Sequence, residues 1–351
     1  LRVIRRLLSH HLGKYKILKD EEIEFIADTS PGYPYGCKYK TKEAAFRAHP
    51  KYFKAYLAPG AERIPPIYKV TPKVEYMTKE ELGEEKIRLF RNPPLDLFLL
   101  ESKYFADMDA GLSKLDFSTK IGLGFVKEHG GWDSFIKILM KHPFFLMYDI
   151  GTFDKGFGPS LLKAVYDLRQ EFYDKTQDIN EEDWNFLYYS MAYAMELVYN
   201  GQVYHTSCGG KSGNLTTSTN NTLAHMLIII YHITGHFETD DAVYKFMVKQ
   251  WEALLYSDDN CSSTSMPEVF SEKSLDASFK CFGMRVKDFV LSPDPTKINF
   301  LGATNMRFKN YWVPRYKEDR MVFATAYLGG SVTDDIRAQR VCGLAKKLGF
   351  Y

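Results

Sequence analysis

The stretch Trp251-Glu252-Ala253-Leu254-Leu255-Tyr256-Ser257-Asp258-Asp259-Asn260 decides how this chain is read. Its first part is almost continuously apolar, as in a strand covered on both faces, and its last four residues are polar and turn-prone, which suits a hairpin tip. Far earlier in the chain, Phe144-Phe145-Leu146-Met147-Tyr148 is another short apolar run, read as a buried strand that ends on Asp149. Two strand ends therefore deliver carboxylates, Asp149 from one and the Asp258-Asp259 pair from the other. Only a fold that pairs the two strands can unite them.

Such a set suits two-metal phosphoryl chemistry. Nucleotidyl transfer uses two divalent cations about 3.5–4 Å apart, one activating the attacking hydroxyl and one holding the triphosphate. Mg²⁺ takes oxygen ligands, usually one or two carboxylates plus phosphates, so a few aspartates at adjacent strand ends suffice. The competing reading is two surface turns that happen to contain Asp.

Asp154, five residues beyond Asp149, would sit near an incoming sugar. A Gly-rich segment reads Cys208-Gly209-Gly210-Lys211-Ser212-Gly213-Asn214 and leads into a helix through about residue 233. Thr217 and Asn221 are four apart and share one face of that helix, so Asn221 could bond Asp154 or a ribose hydroxyl. Gly209, Gly210 and Gly213 would give the loop the backbone freedom that a moving template requires. Gly210-Lys211-Ser212 resembles the end of a phosphate-binding P-loop, but His205 stands where that pattern needs Gly. His232 and His236 have a zinc-protease spacing, with Ile233 in place of the required Glu, and read as a structural pair.

Apolar spacing predicts a helix over 161–172 with Ser160 as N-cap, another over 184–199 ending at Asn200-Gly201, a short strand over 201–206, and a C-terminal helix over 334–348. Strands and helices mix without strict alternation, so the expected class is α+β, one sheet backed by helices. Residues 1–100 are harder to read. Two turn-rich places stand out there, Thr29-Ser30-Pro31-Gly32-Tyr33-Pro34-Tyr35-Gly36 and Arg91-Asn92-Pro93-Pro94.

Hydrophobic residues are 45% and charged residues 26% of the 351, an ordinary globular composition. Net charge is only +2, yet residues 1–100 hold 19 Lys/Arg against 13 Asp/Glu, a basic lobe suited to a polyanion or simply a solvated surface. Five scattered cysteines without a CxxC pair argue against a disulfide framework or zinc knuckle and for a reducing compartment. The longest apolar stretch, residues 223–233, is too short to span a bilayer. The chain opens Leu-Arg-Val-Ile without Met, as expected of a processed product or a fragment.

Taken together and in order, these motifs resemble the RNA-dependent RNA polymerases of picorna-like positive-strand RNA viruses, over roughly residues 29–345. The segment from Thr29 to Tyr35 resembles the template-entry motif of the fingers. Lys79-Glu80-Glu81-Leu82 with Lys86-Ile87-Arg88-Leu89 resembles the basic fingers motif of the nucleotide channel. Asp149 with Asp154, then Ser212-Gly213 with Thr217 and Asn221, then Tyr256-Ser257-Asp258-Asp259 resemble the first three palm motifs. Phe300-Leu301-Gly302 resembles the primer-gripping turn between palm and thumb. Thr333-Asp334-Asp335-Ile336-Arg337 with Leu344-Ala345 resembles the start of the thumb.

The resemblance implies a right-hand polymerase with an RRM-like antiparallel palm sheet backed by helices and a short or truncated thumb. Its parts would be fingers over 1–130, palm over 131–200 and 212–305, a fingers insertion over 201–211, and thumb over 306–351. It implies that Asp149 and Asp258, assisted by Asp259, hold Mg²⁺, with Mn²⁺ as a substitute. Asp154, Asn221 and Thr217 would read the ribose, and Lys86, Arg88 and Arg91 would neutralise the triphosphate. Ser212 would also line the nucleotide site. Thr29, Ser30, Gly32, Gly213 and Lys79 would contact RNA. Implied partners are an RNA template, an RNA or protein primer, ribonucleoside triphosphates and other viral replication proteins. The implied location is the host cytoplasm, peripheral to replication membranes.

The chain departs from the family in Ser257, where Gly is usual, and in Gly302-Ala303, where a basic pair is usual; Arg307 or Lys309 would have to substitute. Lys287 is the candidate for the family's general-acid lysine. Two other readings compete. A reverse transcriptase would carry a bulky aromatic near the sugar in place of Asp154 and Asn221, and a catalytically silent RNA-binding scaffold would have no need of all three aspartates.

Overall fold

The computed structural model describes residues 1–73, 79–83, 87–207 and 209–317, apart from the side chains of Glu80 and Glu81. Lys86, Cys208, Cys342, the thumb-like motif at 333–345 and the predicted helix over 334–348 lie outside the described residues.

The strands are β1 (Ile67–Pro72), β2 (Leu89–Asn92), β3 (Phe144–Gly151), β4 (Ala194–Leu197), β5 (Val203–Thr206), β6 (Trp251–Tyr256), β7 (Asp259–Thr264), β8 (Arg285–Ser292), β9 (Asn299–Phe300), β10 (Ala303–Phe308) and β11 (Tyr311–Tyr316). One antiparallel sheet runs β6-β7-β3-β8 and carries the aspartates. β6 alternates as a strand must. Trp251, Ala253 and Leu255 enter the main core, whereas Leu254 enters a second core on the opposite face. Helices Thr217–Thr234 and Asp240–Lys249 pack against β6, and Glu272–Lys280 packs against β8. The second core joins Trp132, Phe135, Ile136 and Leu139 of helix Gly131–Leu139 to Phe300, Ala303 and Trp312 of the β9–β11 sheet. Both faces are thus covered, which is why β6 is apolar apart from Glu252, whose charge is met by Lys120 and Lys141.

A second four-stranded sheet runs β2-β1-β4-β5, with β1 and β4 parallel and the other pairs antiparallel. It accounts for a correction. The helix predicted over 184–199 is Glu181–Ala192, and residues 194–197 are β4, paired to β1 on one side and β5 on the other. Pairing partners override the local helix preference of Met195-Glu196-Leu197. The strand predicted over 201–206 is present as β5.

The other predicted elements need smaller changes. The helix expected over 161–172 is Pro159–Gln170 with Gly158 at the N-cap; Ser160 makes no cap because Pro159 already occupies the first turn. β3 continues to Gly151, so Asp149 lies within the strand. The helix after the Gly-rich loop is Thr217–Thr234. Among the described residues no helix is long and apolar enough to cross a membrane. The mixed α+β class expected from the sequence is the class of the fold.

Candidate active site

β6 and β7 meet in a two-residue turn, Ser257-Asp258, closed by the Tyr256–Asp259 pair. β7 lies beside β3, so the turn stands next to the Asp149 end of β3. The strands thus do what the sequence required: they bring Asp149 to the Asp258-Asp259 pair. Burial holds the Asp149 carboxyl above the usual carboxylate range, and the charges of Asp258 and Asp288 push it the same way. Asp288 is on β8 beside Lys287, whose Cα faces Asp149 across the ladder. Among the described residues no three His, Cys, Asp or Glu side chains gather closely enough to hold an ion unaided. That is compatible with Mg²⁺, which completes its shell with water and phosphate. The mutual repulsion of these hard oxygen donors is what a divalent cation relieves, so the residues present fit one.

Asp154 lies in the short helix Phe153–Gly156 immediately after β3. Burial raises its carboxyl, as does Asp258, against the pull of Arg88, Arg91 and Lys73. Asp154 thus feels both Asp258 of the turn and the basic residues on and beside β1 and β2. Gly209 and Gly210 donate backbone hydrogen bonds to the Phe157 and Asp154 carbonyls at 3.0 and 2.6 Å. The loop is docked on this helix rather than free, contrary to the expectation of loose backbone. Gly213 has its own reason: a Cβ there would lie 1.9 Å from the Arg91 carbonyl oxygen, so only Gly lets the loop pass β2. Ser212 Oγ donates to the Leu89 carbonyl at 3.1 Å, and Thr217 Oγ1 to the Lys211 carbonyl at 2.7 Å.

The basic residues are partly engaged within the protein. Glu196 Oε1 accepts from Arg91 Nε and from Lys211 Nζ, both at 2.9 Å. Lys211 is buried, which removes the P-loop reading of Gly210-Lys211-Ser212. His232 likewise spends both ring nitrogens on Ser278 Oγ and the Val269 carbonyl, as a structural histidine does. Arg88 is exposed and close enough to act on Asp154. Lys79 is exposed in the short helix Lys79–Gly83. The two turn-rich places touch. Asn92 Nδ2 donates to Ser30 Oγ at 3.2 Å, and Gly32 (φ +70°) leaves no room for a Cβ beside the Pro93 carbonyl. Thr29 Oγ1 donates to the Ile26 carbonyl at 2.8 Å.

Ser257 is held from three sides by helix Thr217–Thr234. Asn221 Nδ2 donates to its Oγ at 3.0 Å, its N–H donates to Thr222 Oγ1 at 2.8 Å, and its carbonyl meets His225 Nδ1 at 3.0 Å. Asn221 is therefore committed to the turn, where the sequence suggested Asp154 or a sugar. It stays near Asp154 all the same, since the side-chain oxygens of both flank Gly210. At the other expected turn, Leu301 (φ +49°) and Gly302 (φ +75°) connect β9 to β10 as a primed hairpin requires. The basic group there is Lys127, whose Nζ donates to the Leu301 carbonyl at 2.6 Å. Arg307 lies near the far end of β10 and Lys309 in the turn after it. Lys287 extends over Gly151, with Nζ 3.0 Å from where a Cβ would be.

Sequence reasoning missed Asp288, Glu196 and His225. His225 falls four residues after Asn221 and so shares its helix face, a signal hidden by reading it only as a break in an apolar run.

A family model described as viral RNA-dependent RNA polymerase matches residues 6–347 of the chain. Part of the genome polyprotein of Plum pox potyvirus (isolate NAT) is 23% identical over 253 residues, which is 71% of this chain and 8% of the polyprotein. For Pea seed-borne mosaic virus (strain DPD1) the figures are 24% over 253 residues, again 71% and 8%. The chain thus spans a small part of the curated relatives it matches. Among solved structures, a Sicinivirus 3Dpol RNA-dependent RNA polymerase superposes with a TM-score of 0.75 over 99% of this chain and 81% of that one, at 14% identity. At that identity the likeness establishes a shared fold.

Proposed function

Because the chain belongs to the viral RNA-dependent RNA polymerase family, we propose that it extends an RNA 3′ end with templated ribonucleotides, copying a viral RNA genome. The observation that carries this reading is the meeting of Asp149 with Asp258 at the end of one sheet, with Asp154 under the opposing influence of Asp258 and of Arg88, Arg91 and Lys73. A 3′-hydroxyl attacks the α-phosphate in line, and pyrophosphate leaves. Asp149 and Asp258, with Asp259, would hold Mg²⁺ or Mn²⁺, which supply Lewis acidity to the hydroxyl and the triphosphate. Asp154 and Asn221 read the ribose. Arg88, Arg91 and Lys86 would neutralise the triphosphate, Ser212 and Gly213 would follow the template, and Lys287 would give a proton to the leaving group. Thr217 sits at the head of the sugar-reading helix, although its hydroxyl is spent on its own loop. Thr29, Ser30, Gly32 and Lys79 form the RNA entry side.

On this reading the β6-β7-β3-β8 sheet is the palm. The β2-β1-β4-β5 sheet belongs to the fingers, which moves the expected palm boundary at residue 200 back to the start of β4. The thumb begins within the last described strands. Template RNA, a primer of RNA or protein, ribonucleoside triphosphates and other viral replication proteins are the partners, met in the host cytoplasm at replication membranes.

Primer extension on an RNA template with ribo- against deoxyribonucleotides tests the proposal. Preferred incorporation of ribonucleotides supports it. Better use of deoxyribonucleotides would favour a reverse transcriptase, and no product with Mg²⁺ or Mn²⁺ would favour a silent scaffold.

A further inference from the structure

Asp149 and Asp258 are each preceded by a residue that touches one histidine. His225, fully buried in helix Thr217–Thr234, meets the Tyr148 hydroxyl through Nε2 at 2.8 Å and the Ser257 carbonyl through Nδ1 at 3.0 Å. We propose that His225 is a positioning residue, setting the separation of Asp149 from Asp258 by tying the residue before one to the residue before the other. This rests on the polymerase reading above, in which those carboxylates hold the cations.

The backbone leaves that task undone. The β3–β7 ladder runs from Phe144–Thr264 to Leu146–Ser262 and stops short of Tyr148. On its other side, β3 bulges from β8 between Met147 and Asp149. Asp149 rejoins β8 opposite Lys287, but no ladder pair fixes it against β7, and there side chains take over. Asn260 Nδ2 donates to the Tyr148 carbonyl at 2.6 Å, and His225 bridges from the helix. The proton positions follow from chemistry. A carbonyl only accepts, so Nδ1 carries the hydrogen, and Nε2 accepts from the Tyr148 hydroxyl. Burial pushes the imidazole down to about 4, so this neutral tautomer persists at physiological pH. The ring is also caged by Tyr148, Phe153 and Phe279, which leaves it little freedom to rotate.

Groups that orient metal-binding side chains without touching the metal typically change metal affinity 10–100-fold when lost. Tyr148→Phe deletes one hydroxyl and keeps the ring in place; His225→Phe keeps the aromatic cage and deletes both bonds. Mn²⁺ binding is measured by calorimetry on the full chain with primed RNA and a nucleotide that cannot react. In Tyr148→Phe the Mn²⁺ affinity should fall about tenfold. RNA affinity should hold within about twofold, since it depends on basic residues elsewhere. The double variant should bind Mn²⁺ no more weakly than His225→Phe, because both changes cut one link. A cooperatively melting Tyr148→Phe with wild-type Mn²⁺ affinity overturns the inference alone, whether or not His225→Phe folds. A wild type that incorporates no ribonucleotide overturns the polymerase reading and this inference with it.

Discussion

Asn221 Nδ2 donates to Ser257 Oγ across 3.0 Å, joining the helix that would read the sugar to the turn that carries Asp258. Ser257 has φ +56° at the first position of its turn, a left-handed conformation that favours Gly. The departure from the family's usual Gly is thus paired with a contact that only a side chain can make. Three hydrogen bonds from one helix hold a residue whose backbone is otherwise disfavoured.

Ser257→Gly should therefore have little effect on stability. It relieves a left-handed residue, worth about 1–2 kcal/mol, and loses one hydrogen bond, worth about 1 kcal/mol. The denaturant midpoint should move only slightly and polymerisation should persist. Asn221→Ala, by contrast, should erode discrimination between ribo- and deoxyribonucleotides, because it removes the clamp on Ser257 and, on the proposed reading, a contact to the sugar. Competitive single-nucleotide incorporation reads the difference; equal discrimination in Asn221→Ala and wild type would remove Asn221 from sugar reading.

Asp149→Asn should lose activity and gain stability. The folded Asp149 carboxyl titrates above its unfolded value, so the native state binds more protons in that window. Stability therefore falls as pH rises through it, and at neutral pH the charge is a penalty. Melting curves should show the variant more stable than wild type at pH 7, with the gain gone below the unfolded Asp value of about 3.9. Added Mg²⁺ should stabilise the wild type more than the variant by mass action. A variant less stable than wild type at pH 7 would show that Asp149 carries no such penalty.

Glu196→Gln should be costly. It removes the negative charge that buried Lys211 and Arg91 share, leaving a neutral carbonyl oxygen for both to bond. Removing one partner of a buried pair typically costs about 3–5 kcal/mol. Urea denaturation measures this; a loss under about 1 kcal/mol would mean that the remaining bonds of Lys211, among them the one to Thr206 Oγ1, suffice for its charge.

His225 should remain neutral with hydrogen on Nδ1 throughout the range where polymerisation is assayed. Its depressed value means that the unfolded chain binds the proton first, so this residue's contribution is full above about 6.5 and is lost as pH falls toward about 4. Nitrogen NMR of labelled histidine should show one side chain fixed in the Nδ1–H form from pH 5.5 to 8. An ordinary titration near 6.5 would contradict the buried bridge.

Much of the site was legible because its signals are contiguous. The runs 144–148 and 251–256 are apolar for the simple reason that their sheet is covered on both faces, and the polar tip between β6 and β7 has nowhere to be but a turn. Asp154 followed from its place five residues beyond Asp149, and Thr217 and Asn221 from helix spacing. What was not legible depends on partners distant in sequence. Residues 194–197 are a strand only because β1 and β5 flank them. Glu196 looks like an ordinary surface acid until Arg91 and Lys211 converge on it. Asp288 reaches Asp149 only through the pairing of β8 with β3. His225 and Ser257 acquire meaning together, through a carbonyl that no side-chain pattern encodes.

The most direct test of the central claim is single-turnover extension of a primed RNA by wild type and by Asp258→Asn, with RNA affinity measured beside it. Wild type should add the templated ribonucleotide in a Mg²⁺-dependent step. The variant should bind the RNA with similar affinity, since phosphate contacts and not Asp258 hold it, and should add nothing. Extension by Asp258→Asn at the wild-type rate would contradict the account, because the carboxylates brought together by β3 and β6–β7 would then not be the catalytic ones.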